Sequence, residues 1–461
     1  MPFSDPSPVV VVMAKKSIIA QEDIEEPDIR REHEMGYEQE LYRGFSPFMS
    51  FAFCFTAVNV LTSISISFTY ALNTGGSAMV VWSWLIGSSF TILVGLSLAE
   101  ICSVYPSAGS VYYWAGQLVP SQHAPLASFI CGWFNFIGNA AANAAFSSGF
   151  ATIVNAALVL NGKESLSIGA QVGISIGITF VWAIQNIFRI DQQGWLNNIA
   201  AIFQITSTIT TIAVLLVMAP ERASAHDVFI STYNGTGFPF SYLCFISILS
   251  TLYSLSGYDA GAHLAEETQH AGRAGNFAMA RDGVFPFSSS LRWIFPLTKA
   301  PLAIVAFVVI IDCLLVLLQL VSTTAFAAII SVTTLGFQIS YSMPIFFRCT
   351  VARKSFTVGE VNLGRFGLPI AIVSVVWLLI TSILMFFPAN YPVTSDNMNY
   401  AIVIVGGLAL IATTYWVASA RHWFRGPKRN HINSSSWPSI SVAKVDSKKA
   451  MSSYNVILTQ L

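Results

Sequence analysis

Ser254-Leu-Ser-Gly-Tyr-Asp-Ala-Gly-Ala-His-Leu-Ala-Glu-Glu267 closes an apolar run that begins near Phe240. The run reads as a membrane helix, yet its second half carries Ser256, Gly257, Asp259, Gly261 and His263. Hydrocarbon offers no water to satisfy loose backbone or charge, so such a segment faces protein or a wet cavity. Two glycines beside an aspartate fit a helix that breaks in mid-bilayer. They fit as well a helix that ends at the interface, where glycine and polar residues are ordinary.

The rest of the chain sets the context for that stretch. Of 461 residues, 54% are hydrophobic and 10% charged, with mean hydropathy +0.62. A soluble domain carries roughly 25% charged residues. Apolar runs of membrane-spanning length recur, so the fold class is an all-α polytopic membrane protein. A barrel would show short alternating segments instead. The net charge is zero and does not point to a nucleic-acid partner. Cys54, Cys102, Cys131, Cys244, Cys313 and Cys349 lie in or beside apolar runs and form no CxxC pair. Small buried hydrophobes are the favoured reading of them, and no metal or cofactor is expected.

Residues 1–44 are polar and read as a disordered cytosolic tail; residues 427–461, basic and then Ser-rich, read as a second one. Between them lie ten runs, at about 47–72, 78–100, 125–160, 167–188, 197–219, 240–262, 300–321, 323–347, 368–388 and 399–420. The first carries Leu61-Thr-Ser-Ile-Ser-Ile-Ser67, whose hydroxyls suit either local unwinding or close helix packing. The third carries Asn135, Asn139 and Asn143, spaced by four, so one helix face looks inward. Ser103 to Trp114 reads as a turn-rich loop with interfacial aromatics. Asp312 lies inside an apolar run and must face protein or a cavity.

Ten spans place both termini on one side. With the N-terminus inside, 21 of the 23 Lys and Arg residues fall inside, leaving Lys163 and Arg222 outside. This bias predicts cytosolic termini. It also predicts an outside location for Asn234-Gly-Thr236, a glycosylation sequon at Asn234.

Four stretches then carry a family resemblance. They are Gly36-Tyr-Glu-Gln-Glu-Leu41 with Phe45-Ser46; Ala99-Glu100-Ile-Cys-Ser103 with Pro106-Ser-Ala-Gly109 and Tyr112-Tyr-Trp114; Gly257-Tyr-Asp259 with His263-Leu-Ala-Glu-Glu-Thr268; and Ala280-Arg-Asp-Gly283 with Pro286-Phe287. Together they resemble the amino acid–polyamine–organocation transporters, in particular the eukaryotic amino-acid, γ-aminobutyrate and choline permease branch, over about Gly36 to Gly426. The resemblance implies inverted five-helix repeats with two trailing helices, and a transmembrane permease domain over 45–426. It implies first and sixth helices broken at Thr62–Ser65 and Ser256–Asp259, with substrate held between the breaks by Thr62, Ser63, Ile64, Ser65, Ser256, Gly257, Tyr258 and Asp259. Asp259 would answer a substrate amine or titrate as a proton-coupling group. Glu100 and Glu266 would make cytoplasmic gate contacts with basic residues. The implied partners are a small amino acid, γ-aminobutyrate or amine substrate, protons and membrane lipid, at the plasma membrane or an internal one.

The family has twelve helices. In it, two spans separate the Ala-Glu-Glu-Thr and Arg-Asp-Gly motifs, whereas here only Gln269 to Ala280 lie between Thr268 and Arg281. The resemblance therefore implies that the seventh helix and most of the eighth are missing, as in a skipped-exon product or mis-spliced gene model, and that transport suffers. A non-transporting transceptor or regulatory membrane protein is the runner-up. An enzyme ranks last, because no metal-ligand spacing or Ser/His/Asp set recurs within the spans.

Overall fold

The computed structural model describes residues 47–263 and 301–428, with gaps at 108, 188–189, 322–323, 358, 360 and 396, and a scattered subset of 279–295. The chain divides into two units: Glu40–Pro427, described below, and Met1–Gln39 with Lys428–Leu461, which apart from Lys428 lies outside the described residues. The expectations for the tails, for Glu266 and for the Gln269–Ala280 junction fall outside the described residues.

The described chain is mostly helical, and nine of its helices are long and apolar enough to cross a membrane. In order the helices are α1 (Pro47–Val58), α2 (Val60–Asn73), α3 (Gly76–Val104), α4 (Ser110–Gln117), α5 (Ala124–Leu160), α6 (Ile168–Gln185), α7 (Ile190–Met218), α8 (Ala225–Phe229), α9 (Phe240–Ile246), α10 (Leu249–Ser254), α11 (Ala260–His263), α12 (Ser288–Leu291), α13 (Leu302–Leu317), α14 (Ala325–Cys349), α15 (Gly367–Leu384) and α16 (Ala401–Tyr415). Thr74–Gly75 and Tyr233–Asn234 pair as a two-residue antiparallel ladder at one end of the bundle.

α5 and α14 form the centre. Gly138 and Gly336 face each other where they cross, and a Cβ on Gly336 would lie 2.5 Å from the Gly138 Cα. Lipid tails are as apolar as leucine, so helices in a membrane associate through close backbone approach rather than solvent exclusion. Ala141, Ala144 and Ala145 of α5 continue the small face against Ile329, Val332 and Leu335 of α14. Their outer neighbours keep apolar side chains exposed, as in Ile209, Leu215 and Val217 of α7, which suits contact with lipid.

The run at 240–262 does not continue as a single helix. It divides into α9, α10 and α11, with Ser247–Ile248 and then Leu255–Asp259 outside helix. Tyr70 of α2 donates its hydroxyl to the Ile246 carbonyl at 3.0 Å, satisfying an acceptor near the first irregularity. The segment from Ser103 to Trp114 also differs from a surface loop. Its last five residues, Ser110–Trp114, open α4, where Tyr112, Tyr113 and Trp114 are buried and the Trp114 indole donates to the Tyr105 carbonyl at 2.7 Å. Packing against α5 takes up the aromatics that an interfacial loop would have left at the headgroups.

Candidate substrate site

Two helix interruptions approach each other in the bundle. The first lies at Asn59, which adopts a left-handed backbone (φ 39°) between α1 and α2. Asparagine tolerates this conformation, and its side chain caps the new helix by accepting the Thr62 N–H. Ser63 donates its hydroxyl to the Val58 carbonyl at 3.3 Å, covering one acceptor stranded by the break. The expected interruption at Thr62–Ser65 is thus corrected to Asn59, three residues earlier. Thr62, Ser63, Ile64 and Ser65 are helical. Ser65 is exposed and returns its hydroxyl to the Leu61 carbonyl at 2.8 Å. A helix absorbs such a hydroxyl without opening. Asn59 was the signal available and unused.

The second interruption runs through Leu255–Asp259. Ser256 caps the end of α10 by donating to the Leu252 carbonyl at 2.7 Å. Gly257 then takes φ 87°, a conformation open to glycine and costly for other residues. Asp259 follows, 5% exposed. Tyr341 of α14 donates to one of its carboxylate oxygens at 2.5 Å, and Asn135 of α5 donates to the other at 3.1 Å. Asn139 donates in turn to the Asn135 side-chain oxygen at 3.2 Å. Tyr258 lies against the Tyr341 ring, with centroids 4.9 Å apart. Two neutral donors, Tyr341 and Asn135, thus orient the carboxylate from the scaffold helices.

Val58 from the first break and Tyr258 and Asp259 from the second line one cavity of about 450 Å³. Thr91, Gly95 and Trp114 also line it, with a largely apolar remainder that includes Ile92, Leu98 and Leu255. This is within the size range of sites that hold small molecules. Ser256 lines a smaller space beside it, with Tyr258, Gln338 and Tyr341. Gly257 meets nothing within 4 Å of where a Cβ would stand. Ser67 of α2 and Ser254 of α10 touch through their hydroxyls at 3.3 Å and tie the two interrupted helices together. Neither Thr62, Ser63, Ile64 nor Ser65 is among the residues that line these cavities.

Glu100 stands apart from the cavity wall, at the end of α3. It forms a buried ion pair with Arg348 of α14, and its other oxygen accepts the Leu363 N–H at 3.4 Å. The Arg348 guanidinium also rests on the Phe356 ring, 4.8 Å from its centroid. Nearby in sequence, Tyr112 of α4 donates to Asp282 at 3.1 Å. In the ladder, Asn234 is exposed, donates to the Phe238 carbonyl at 2.7 Å and accepts the Thr236 hydroxyl at 2.8 Å. In the segment before it, Ser224 and Asp227 form a capping box. The Ser224 hydroxyl and backbone N–H hold the Asp227 carboxyl below the usual carboxylate range.

A family model described as amino acid permease matches residues 45–277 and 271–408. The chain is 30% identical over 496 residues to amino-acid permease BAT1 of Arabidopsis thaliana, covering 87% of this chain and 96% of that protein. It is 31% identical over 496 residues to the BAT1 homolog of rice, covering 87% and 95%. With amino-acid permease 2 of Neurospora crassa the identity is 25% over 485 residues, covering 85% and 88%. These relatives are permeases, not enzymes. Matched over most of its length, this chain belongs to the amino acid permease family, within the amino acid–polyamine–organocation superfamily of multi-pass membrane proteins.

Proposed function

We propose that the chain is built to move an amino acid, γ-aminobutyrate or a related amine by proton-coupled alternating access, with substrate bound between the two helix breaks. The observation that carries this is the shared cavity, lined by Val58 at one break and by Tyr258 and Asp259 at the other. The Asp259 carboxylate answers the substrate ammonium. The first turn of α2, at the positive end of its dipole, suits a substrate carboxylate. That role falls to the turn opened by Asn59 rather than to the Ser65 hydroxyl. Tyr258 covers the ligand. The Glu100–Arg348 pair holds the inner end of α3 to α14 as a gate contact, with both termini cytosolic. The relatives, named as amino-acid permeases, support an amino-acid substrate class.

Two comparisons support the shortened second repeat. The two matched segments of the family model meet at residues 271–277, inside the Gln269–Ala280 interval. The Arabidopsis alignment spans 496 positions but takes in 87% of 461 residues, about 401, which leaves about 95 positions without a residue of this chain. Two spans of about 20 residues each, with their loops, fit within that difference. A repeat short of two helices cannot rock as a complete unit, so this chain binds substrate better than it transports it.

Equilibrium binding of radiolabelled γ-aminobutyrate and amino acids to the purified chain tests the reading. Saturable binding that weakens at least about tenfold in Asp259→Asn supports it. No binding of any amino acid or amine would overturn it. Robust uptake driven by a pH gradient, by liposomes containing only this chain, would remove the transport defect while leaving the site in place.

A further inference from the structure

Asp312 lies within α13, a helix otherwise entirely apolar from Leu302 to Leu317. It is 2% exposed, and its Oδ1 has no hydrogen-bond partner among the described residues. Asn143 of α5 hydrogen-bonds its carboxyl group. The residue borders a second cavity of about 440 Å³, where Asn139, Asn143, Thr179, Trp182 and Asn197 also stand. Among the described residues that line this space, none other than Asp312 is titratable or charged. A buried carboxylate at membrane depth, with one oxygen unpartnered and a polar cavity beside it, calls for a positive charge. Asn139 spends its amide nitrogen on Asn135 and has its amide oxygen left as an acceptor; Thr179 donates to the Ser175 carbonyl and can still accept.

We propose that Asp312, with the side-chain oxygens of Asn139, Asn143 and Thr179, binds a monovalent cation in this cavity, separate from the site at Asp259. A single carboxylate among neutral oxygens matches one positive charge; a divalent ion would leave an excess buried charge. Both an inorganic ion and a small organic ammonium group present the required charge. The α5 asparagines connect the two sites. Asn135 contacts Asp259, Asn139 contacts Asn135, and Asn143 contacts Asp312. Asn135 and Asn143 are about 12 Å apart along the helix. The proposal does not rest on the transport reading, because a cation can bind at Asp312 whether or not substrate crosses.

The test is equilibrium binding of radiolabelled sodium and of radiolabelled methylammonium to the purified full-length chain in detergent. At least one of them is expected to saturate a single site. Its affinity should fall at least about tenfold in Asp312→Asn and by a smaller factor in Asn143→Ala. Asp227→Asn, on an exposed helix outside the spans, should leave it unchanged. Sodium binding alone assigns an inorganic ion, and methylammonium binding alone an ammonium group. If Asp312→Asn cannot be purified, the loss in Asn143→Ala decides. The proposal is overturned if neither cation binds, as for a carboxyl group that is simply protonated, or if binding survives Asp312→Asn. Methylammonium binding lost in Asp259→Asn but kept in Asp312→Asn would belong to the substrate site, and would also overturn it.

Discussion

The two helix interruptions solve one problem in opposite ways. At Asn59 the groups at the break itself come from within five positions: the Asn59 side chain meets the Thr62 N–H, and Ser63 covers Val58, while Gln204 of α7 donates only to the Phe55 carbonyl one turn earlier, at 3.3 Å. At Asp259 the named partners come from other helices, Asn135 of α5 and Tyr341 of α14. The first break is therefore a mainly local device with one tie to α7, and the second depends on the packed bundle. A break that needs two scaffold helices to hold its carboxylate will respond when those helices move. The first will keep its shape through the same movement.

Substitutions can break or sharpen this contrast. The largest effect is expected for Asp259→Ala, which removes the ligand carboxylate and strands the Asn135 amide and the buried Tyr341 hydroxyl. Losing charge-assisted hydrogen bonds of this kind costs about 3 kcal/mol, or about a hundredfold in ligand affinity; titration of the purified variant reads the affinity. Tyr341→Phe should come next. It removes one of the two described donors to the carboxylate and should cost about 2 kcal/mol in unfolding stability in detergent, with the ligand affinity of Asp259 falling in parallel. If Tyr341→Phe changed stability and left affinity untouched, the second break would not depend on the bundle.

Asn59→Ala should cost about 1–2 kcal/mol, combining loss of a helix cap with a left-handed backbone that alanine resists. Asn59→Gly should recover most of that, because glycine accepts the conformation. Equal damage from both substitutions would mean that the asparagine side chain, not its backbone, decides the break. Gly257→Ala should cost about 1 kcal/mol, since open space surrounds the missing Cβ and only φ 87° is strained. The smallest effect, near zero on both stability and binding, is expected for Ser65→Ala, whose hydroxyl serves only its own helix. A large loss of ligand affinity there would return the first break's contact to the hydroxyl cluster.

These expectations also mark how much the residues reveal by themselves. Composition and recurring apolar runs were enough for a polytopic helical fold, because hydrocarbon permits few other architectures. Asp259 was conspicuous for the same reason. The hydroxyls after Leu61 misplaced the first break, since serine in a membrane helix commonly bonds the carbonyl one turn back and leaves the helix intact, as Ser65 and Ser67 do. The spacing of Asn135, Asn139 and Asn143 showed that one face of α5 looks inward. What that face meets was not legible, because Asp259 lies 124 positions from Asn135 in the chain. The burial of Tyr112 and Trp114 was hidden likewise: an aromatic cluster beside a span looks the same at an interface and inside a bundle.

The most direct test asks whether both breaks face one ligand. Val58→Cys and Tyr258→Cys, each placed in a background without the six native cysteines, can be labelled with a membrane-impermeant thiol reagent in the presence and absence of a ligand that binds. The expected result is that one ligand protects both positions, over the same concentration range as its equilibrium binding. Protection of one position alone, or of neither while binding persists, would contradict a substrate site between the two breaks.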